Sequence, residues 1–157
     1  MKSYAGIGSR ETPDEICLLM TKIARHLKEK GYFLRSGGAE GADQAFERGA
    51  GSKAEIWLPK KELPLWTSVF TDYFHPAPNR LKEYPRQLMN RNAMQILGEF
   101  GSNPVNFVVC WTPDGKDSGG TGQAIRIAQY YSIPVHNLYW DETRIKMEEK
   151  IESKETH

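Results

Sequence analysis

Two glycine-rich turns, the arginines beside them and a few nearby carboxylates are the residues of this chain whose types and spacing suit chemistry. The first turn is Ser36-Gly37-Gly38-Ala39-Glu40-Gly41-Ala42-Asp43, entered from Phe33-Leu34-Arg35. Its glycines lack Cβ atoms and leave backbone N–H groups open to close approach, and the helix expected after it adds partial positive charge. Together they favour an anion, usually phosphate. Arg35, at the strand's carboxyl end, adds a planar cationic fork. The competing reading is a plain strand-to-helix turn whose glycines only set φ. The pattern then recurs: Phe107-Val108-Val109-Cys110-Trp111 leads into Asp117-Ser118-Gly119-Gly120-Thr121-Gly122. Two Ser-Gly-Gly turns after two strands argue against coincidence. In an open parallel sheet both lie on the edge where ligands bind.

Other candidates cluster around these turns. Gly8-Ser9-Arg10 breaks the first apolar run, and Arg10 faces the Arg35 turn if the first two strands are neighbours. A solvated surface arginine is the commoner fate. Arg91-Asn92, in the helix expected over Pro85 to Gly98, can donate to phosphates or ribose hydroxyls, or merely solvate a helix face. Asp43 either hydrogen-bonds a ribose or caps its turn. Glu40, Asp43, Glu47 and Asp117 are weak candidates for acid, base or nucleophile. His75, between Phe74 and Pro76, has no Cys or carboxylate at ligand spacing, so no metal site is expected, and no cofactor.

The chain's 157 residues suit one domain with a real core. A formal charge of +1 gives no general reason to expect a polyanion partner, although a local basic patch depends on distribution alone. Cys17 and Cys110 lie far apart in apolar runs and read as small core residues in a reducing compartment. No cleavable signal and no long apolar run is seen, so a cytoplasmic protein away from membranes is expected.

The elements that must position these residues alternate. Ser3 to Ile7, Tyr32 to Leu34, Ala54 to Leu58, Val105 to Trp111 and Ile133 to Leu138 read as strands. Thr12-Pro13-Asp14-Glu15 has the form of a capping box, and apolar residues from Ile16 to Leu27 follow at helical spacing until Gly31. Further helices are expected from the first Gly turn to Gly49, over Pro85 to Gly98, and from Thr121. Residues 141–157 read as a charged, peripheral helix or tail that frays, apart from a single domain over 1–140. Pro59 to Glu83 looks irregular and long for a loop, with Trp66, Phe70, Tyr73, Phe74 and His75 in it. Its aromatic rings either pin it to the domain's edge or form a stacking wall for a base. The alternation gives an α/β, Rossmann-like fold: a mostly parallel sheet of about five strands, with helices on both faces.

With these landmarks in place, the chain resembles the SLOG superfamily, which joins the DNA-processing protein DprA (Smf) with the LOG proteins. Gly8-Ser9-Arg10 resembles the first-strand turn of DprA-like members, and Ser36 to Asp43 resembles their Ser-Gly-Gly-Ala-x-Gly-x-Asp motif. Arg91-Asn92 is similar to an Arg-Asn-rich helix start, and Ser118-Gly119 with Ala124 to the second turn and helix. The opening Tyr4 to Arg10 resembles short, stand-alone DprA-like proteins found often in phages. LOG phosphoribohydrolases carry a Pro-Gly-Gly-x-Gly-Thr-x-x-Glu motif; aligned on Ser118 to Gly122, its glutamate falls at Arg126 and its threonine at Gln123. The charge reversal disfavours LOG-type nucleotide N-glycosidic hydrolysis.

The resemblance implies first a binding module for a phosphate-bearing, nucleotide-derived small molecule, which it senses, carries or sequesters. In that reading Gly8, Ser9, Arg10, Arg35, Ser36, Gly37, Gly38, Asp43, Arg91, Asn92, Ser118, Gly119, Gly120 and Thr121 hold the ligand. The alternative is DprA-like binding of single-stranded DNA through the same turns. The sequence leans away from an enzyme and leaves a homo-oligomer open.

Overall fold

The computed structural model describes residues 2–60 and 62–155. Among them, five strands form one sheet: β1 (Ser3–Gly6), β2 (Phe33–Ser36), β3 (Ala54–Ile56), β4 (Phe107–Cys110) and β5 (Val135–Asn137). Their order is β3-β2-β1-β4-β5 and every pairing is parallel. The chain therefore walks outward from β1 on one side, then returns to lay β4 on the other. That return makes a switch point, where the loops leaving β1 and β4 diverge and open a crevice. The Rossmann-like architecture read from the sequence is the one observed.

Side chains alternate across the sheet and divide the core in two. Tyr4, Leu34 and Val109 join one cluster with Leu19, Met20, Ile23 and Phe46, from helices α1 (Asp14–Glu29) and α2 (Ala42–Ala50). Ala5, Val108 and Cys110 join the other, with Ala93, Ile96, Ala124 and Ile127 from α4 (Glu83–Leu97) and α5 (Gly122–Tyr130). Fully burying a side chain such as Phe46 or Ile96 contributes about 1.5–3 kcal/mol before entropic costs. The last helix, α6 (Asp141–Glu155), is continuous and rests Met147 and Ile151 against the first cluster. Cys17 and Cys110 are free thiols. No helix among the described residues is long and apolar enough to cross a membrane.

Three local expectations are corrected. Thr12 does not cap α1: its hydroxyl donates to the Ser9 carbonyl at 2.6 Å, and Pro13 occupies the cap position without a side-chain bond. Strand β2 runs on through Arg35 and Ser36, because both pair in register, with Ala5 and Ile56 respectively. The stretch after Pro59 holds a helix, α3 (Leu65–Phe74), and a short 3-10 turn, Pro78–Arg80. Trp66, Phe70 and Phe74 of α3 pack against the second cluster, while Leu65, Val69 and Tyr73 face outward.

Candidate functional site

The crevice at the switch point is an open cleft of about 800 Å³. The loop after β1 supplies Gly8, Ser9 and Arg10; the loop after β2 and the start of α2 supply Gly38, Glu40 and Asp43. The loop after β4 supplies Thr112 and the second turn, Ser118 to Thr121, and α4 supplies Arg91 and Asn92. Both glycine turns thus open into one space, together with the first turns of α2 and α5.

Arg35, Ser36 and Gly37 do not line it. Alternation along β2 sends the Arg35 side chain under the sheet, where it is 2% exposed. There its Nη1 donates to the Asn103 carbonyl at 2.5 Å, and its Nε lies 3.6 Å from Glu55 of β3. Arg35 is therefore an internal tie and not a phosphate ligand in this cleft. Ser36 is buried too, its hydroxyl donating to the Gly6 carbonyl at 2.6 Å, which fastens the end of β2 to β1.

Gly37 seats Arg91. A Cβ there would stand 2.2 Å from Arg91 Nη1, so only glycine leaves room for the guanidinium beneath the turn. Arg91 Nη1 donates to the carbonyls of Gly37 at 2.9 Å and Trp57 at 3.3 Å, and its Nε to Asn92 Oδ1 at 3.2 Å. Gln95, with its amide oxygen turned inward, accepts from the Gly37 amide at 3.1 Å. Asn92 Nδ2 reaches across to the Gly120 carbonyl at 2.9 Å. One turn of α4 therefore holds both glycine turns in place. Its arginine, engaged with carbonyls, contributes charge more than donors to the cleft.

At α2's first turn Gly41 takes φ +83°, and a Cβ would meet the Arg10 carbonyl at 2.8 Å, so the loops after β1 and β2 can touch. Asp43 lies beside this contact. Its Oδ2 accepts from the Ala39 amide at 3.3 Å, while Oδ1 has no hydrogen-bond partner. Desolvation raises its carboxyl to about 6, against the opposing pull of Arg91 and the dipoles of the Ala39, Gly37 and Gly8 amides. A carboxylate displaced this far within a cleft marks a functional candidate.

The second turn is braced from outside. Asp114 Oδ1 accepts from the Ser118 hydroxyl at 2.8 Å and from the Lys116 amide at 2.9 Å, so the Ser118 proton is already committed. Arg126 does not line the cleft. It donates from Nη1 to the Asp117 carbonyl and from Nε to the Phe74 carbonyl, each at 2.8 Å, clasping the second turn to the end of α3. The aromatic residues of α3 are likewise absent from the lining, so they form no stacking wall there. They pin the segment instead, with Trp66, Phe70 and Phe74 in ring contact along the helix.

The sequence reading missed Tyr84, Leu88, Met89, Gln95 and Thr112, which also line the cleft, as do Glu11, Gln44 and Pro113. Tyr84, 60% exposed at the start of α4, puts an aromatic face at the rim. Nothing in its local sequence marks it; only the fold brings it to the cleft. Two arginines, Arg10 and Arg91, stand in the lining against three carboxylates, Glu11, Glu40 and Asp43. The cleft is no basic groove.

Fold and cleft together define the class: an all-parallel α/β protein of Rossmann type, with glycine turns converging at the switch point. Among solved structures, the chain is similar to DNA processing protein A (DprA) from Helicobacter pylori, at a TM-score of 0.60 and 19% identity. The match covers 87% of this chain and 64% of that one, whose structure is described as giving insight into a unique single-stranded DNA binding mode. At this identity the likeness is one of fold. No family model matches the sequence, and no curated protein matches it.

Proposed function

We propose that the chain binds single-stranded DNA by taking one nucleotide of the strand into the cleft, as a DprA-like protein. The observation that carries this reading is the convergence of two glycine turns and two helix starts on one open cleft beside an exposed tyrosine. A phosphate sits against the turns' amides, and Arg10, exposed at the edge, neutralises it. The base lies toward Leu88 and Met89 and stacks on Tyr84. The neighbour described as a single-stranded DNA binder has the same fold, which supports the strand as the source of that nucleotide.

A second reading keeps the site and changes the ligand: a free, phosphate-bearing, nucleotide-derived small molecule. The cleft's balance of two arginines against three carboxylates favours it, since a long polyanion gains little there. A cleft of about 800 Å³ is also within the usual size for small-molecule sites. Neither reading includes turnover, and the position aligned with the LOG glutamate is Arg126, which lies outside the cleft lining.

Gly120→Val tests the site with little disturbance of the fold. A Cβ at Gly120 meets only the Met89 methyl, at 3.9 Å, so the valine extends into the cleft without backbone strain. Fluorescence anisotropy with a labelled oligo-dT is expected to show at least a tenfold loss of affinity, with circular dichroism unchanged. Parent-like affinity in the folded variant removes the cleft from the account. Free nucleotides that displace the label at far lower concentration than unlabelled oligo-dT select the second reading.

A further inference from the structure

Helix α3 packs with its polarity reversed. Its threonines point inward: Thr67 and Thr71 are fully buried, while Leu65, Val69 and Tyr73 are 82%, 59% and 70% exposed. The rotation of the helix is fixed from the inside. Thr67 donates to the Pro64 carbonyl at 2.6 Å. Thr71 donates to Asn90 Oδ1 at 2.6 Å and accepts from Gln123 of α5 at 3.2 Å. Turning α3 to hide its apolar row would leave those buried polar groups without partners.

Positions 65, 69 and 73 form one stripe of the helix, and the stripe continues onto the end of α5. Tyr73 meets Tyr130 edge to face at 6.0 Å, and Tyr130 meets Tyr131 at 5.1 Å. The three tyrosines alone leave roughly 350 Å² in water, at about 200 Å² for a whole aromatic side chain. With Leu65 and Val69 the patch reaches the several hundred Å² at which contiguous apolar surface marks an interaction site. Its rim brings it toward the roughly 800 Å² per partner of a standard protein interface.

The face offers no free charge. In a chain with 26% charged residues, α3 and α5 carry one each, Asp72 and Arg126. Asp72 is bonded to Arg86 at 2.6 Å, and Arg126 is held by the Phe74 and Asp117 carbonyls. A DNA strand needs cations beside the rings that stack its bases, and an anionic membrane needs them too. An uncharged face fits a second uncharged face, and the chain itself supplies one. About a two-fold axis, two copies set this stripe against itself with no like charges opposed.

We propose that two copies of the chain pair through the α3–α5 face, centred on Val69 and Tyr73. None of the five residues lines the cleft, so pairing is independent of the strand reading above.

The test is sedimentation equilibrium of the unmodified protein from about 1 to 100 µM, a range that covers micromolar affinities. The expected mass at the top of the range is twice that of the chain. Val69→Glu and Tyr73→Arg change exposed side chains and should keep the parent's circular dichroism. Each puts like charges face to face and should raise the dimer dissociation constant at least tenfold. Leu18→Glu, at a residue 70% exposed on α1, is the control and should pair as the parent does. A parent that sediments as a single chain throughout overturns the proposal. So does pairing that both folded variants keep, or that Leu18→Glu loses equally. A single-chain parent whose oligo-dT affinity falls in Val69→Glu would instead give the face to the strand.

Discussion

Burial of Asp43 has a consequence that can be read without any ligand. Its carboxyl stands near 6 in the fold against 3.8 for an unhindered aspartate. An acid whose folded value is raised binds its proton more tightly in the native state. Its contribution to stability is thus full below pH 3.8 and is lost as pH rises through 6. The displacement of about two units corresponds to about 3 kcal/mol of destabilisation at neutral pH. In Asp43→Asn the amide oxygen can keep the Ala39 contact, and no charge remains to desolvate. Urea unfolding at pH 4.5 and pH 7.5 should therefore show the variant gaining on the parent by roughly 2 kcal/mol between the two. A difference that stays constant with pH would mean that Asp43 is hydrated in solution. A residue that weakens the empty protein and lines its cleft fits a site where function was favoured over stability.

At the scale of elements, Arg35 belongs to the framework. It joins β2 to the segment after α4 through Asn103 and to β3 through Glu55. Arg35→Ala should cost about 2–4 kcal/mol by opening a void and leaving those groups without their donor. Oligo-dT affinity of the folded fraction should stay within about twofold of the parent; a tenfold loss without destabilisation would return Arg35 to the site. Its fate shows where the sequence was readable. The glycine turns were legible because their residue types are tied to backbone geometry. The direction of Arg35 was not, because it depends on how far β2 continues, and a charged residue reads as the end of an apolar run. Helix α3 escaped for a related reason. Its apolar half is split between a packed row, Trp66, Phe70 and Phe74, and an exposed row, Leu65, Val69 and Tyr73, while the polar Thr67 and Thr71 are buried, so the residue pattern does not follow the buried face. Tyr84 and Gln95 were silent because a single tyrosine or glutamine has no local signature, and strand order alone brings α4 to the cleft. The strand-and-helix alternation, by contrast, sufficed for the sheet.

The whole molecule carries a formal charge of +1, and its cleft has two arginines against three carboxylates. A protein that gripped a strand along its length would need a basic track, and each neutralised phosphate would steepen the salt dependence. A protein that takes one nucleotide into a near-neutral cleft contacts one or two phosphates. The most direct test of the account is therefore the salt dependence of oligo-dT binding by the unmodified protein, followed by anisotropy from about 50 to 300 mM salt. The account predicts measurable binding whose log–log slope lies between about −0.7 and −1.4, one or two phosphates at roughly −0.7 each for single strands. No binding at the lowest salt, or a slope steeper than about −3, would contradict it.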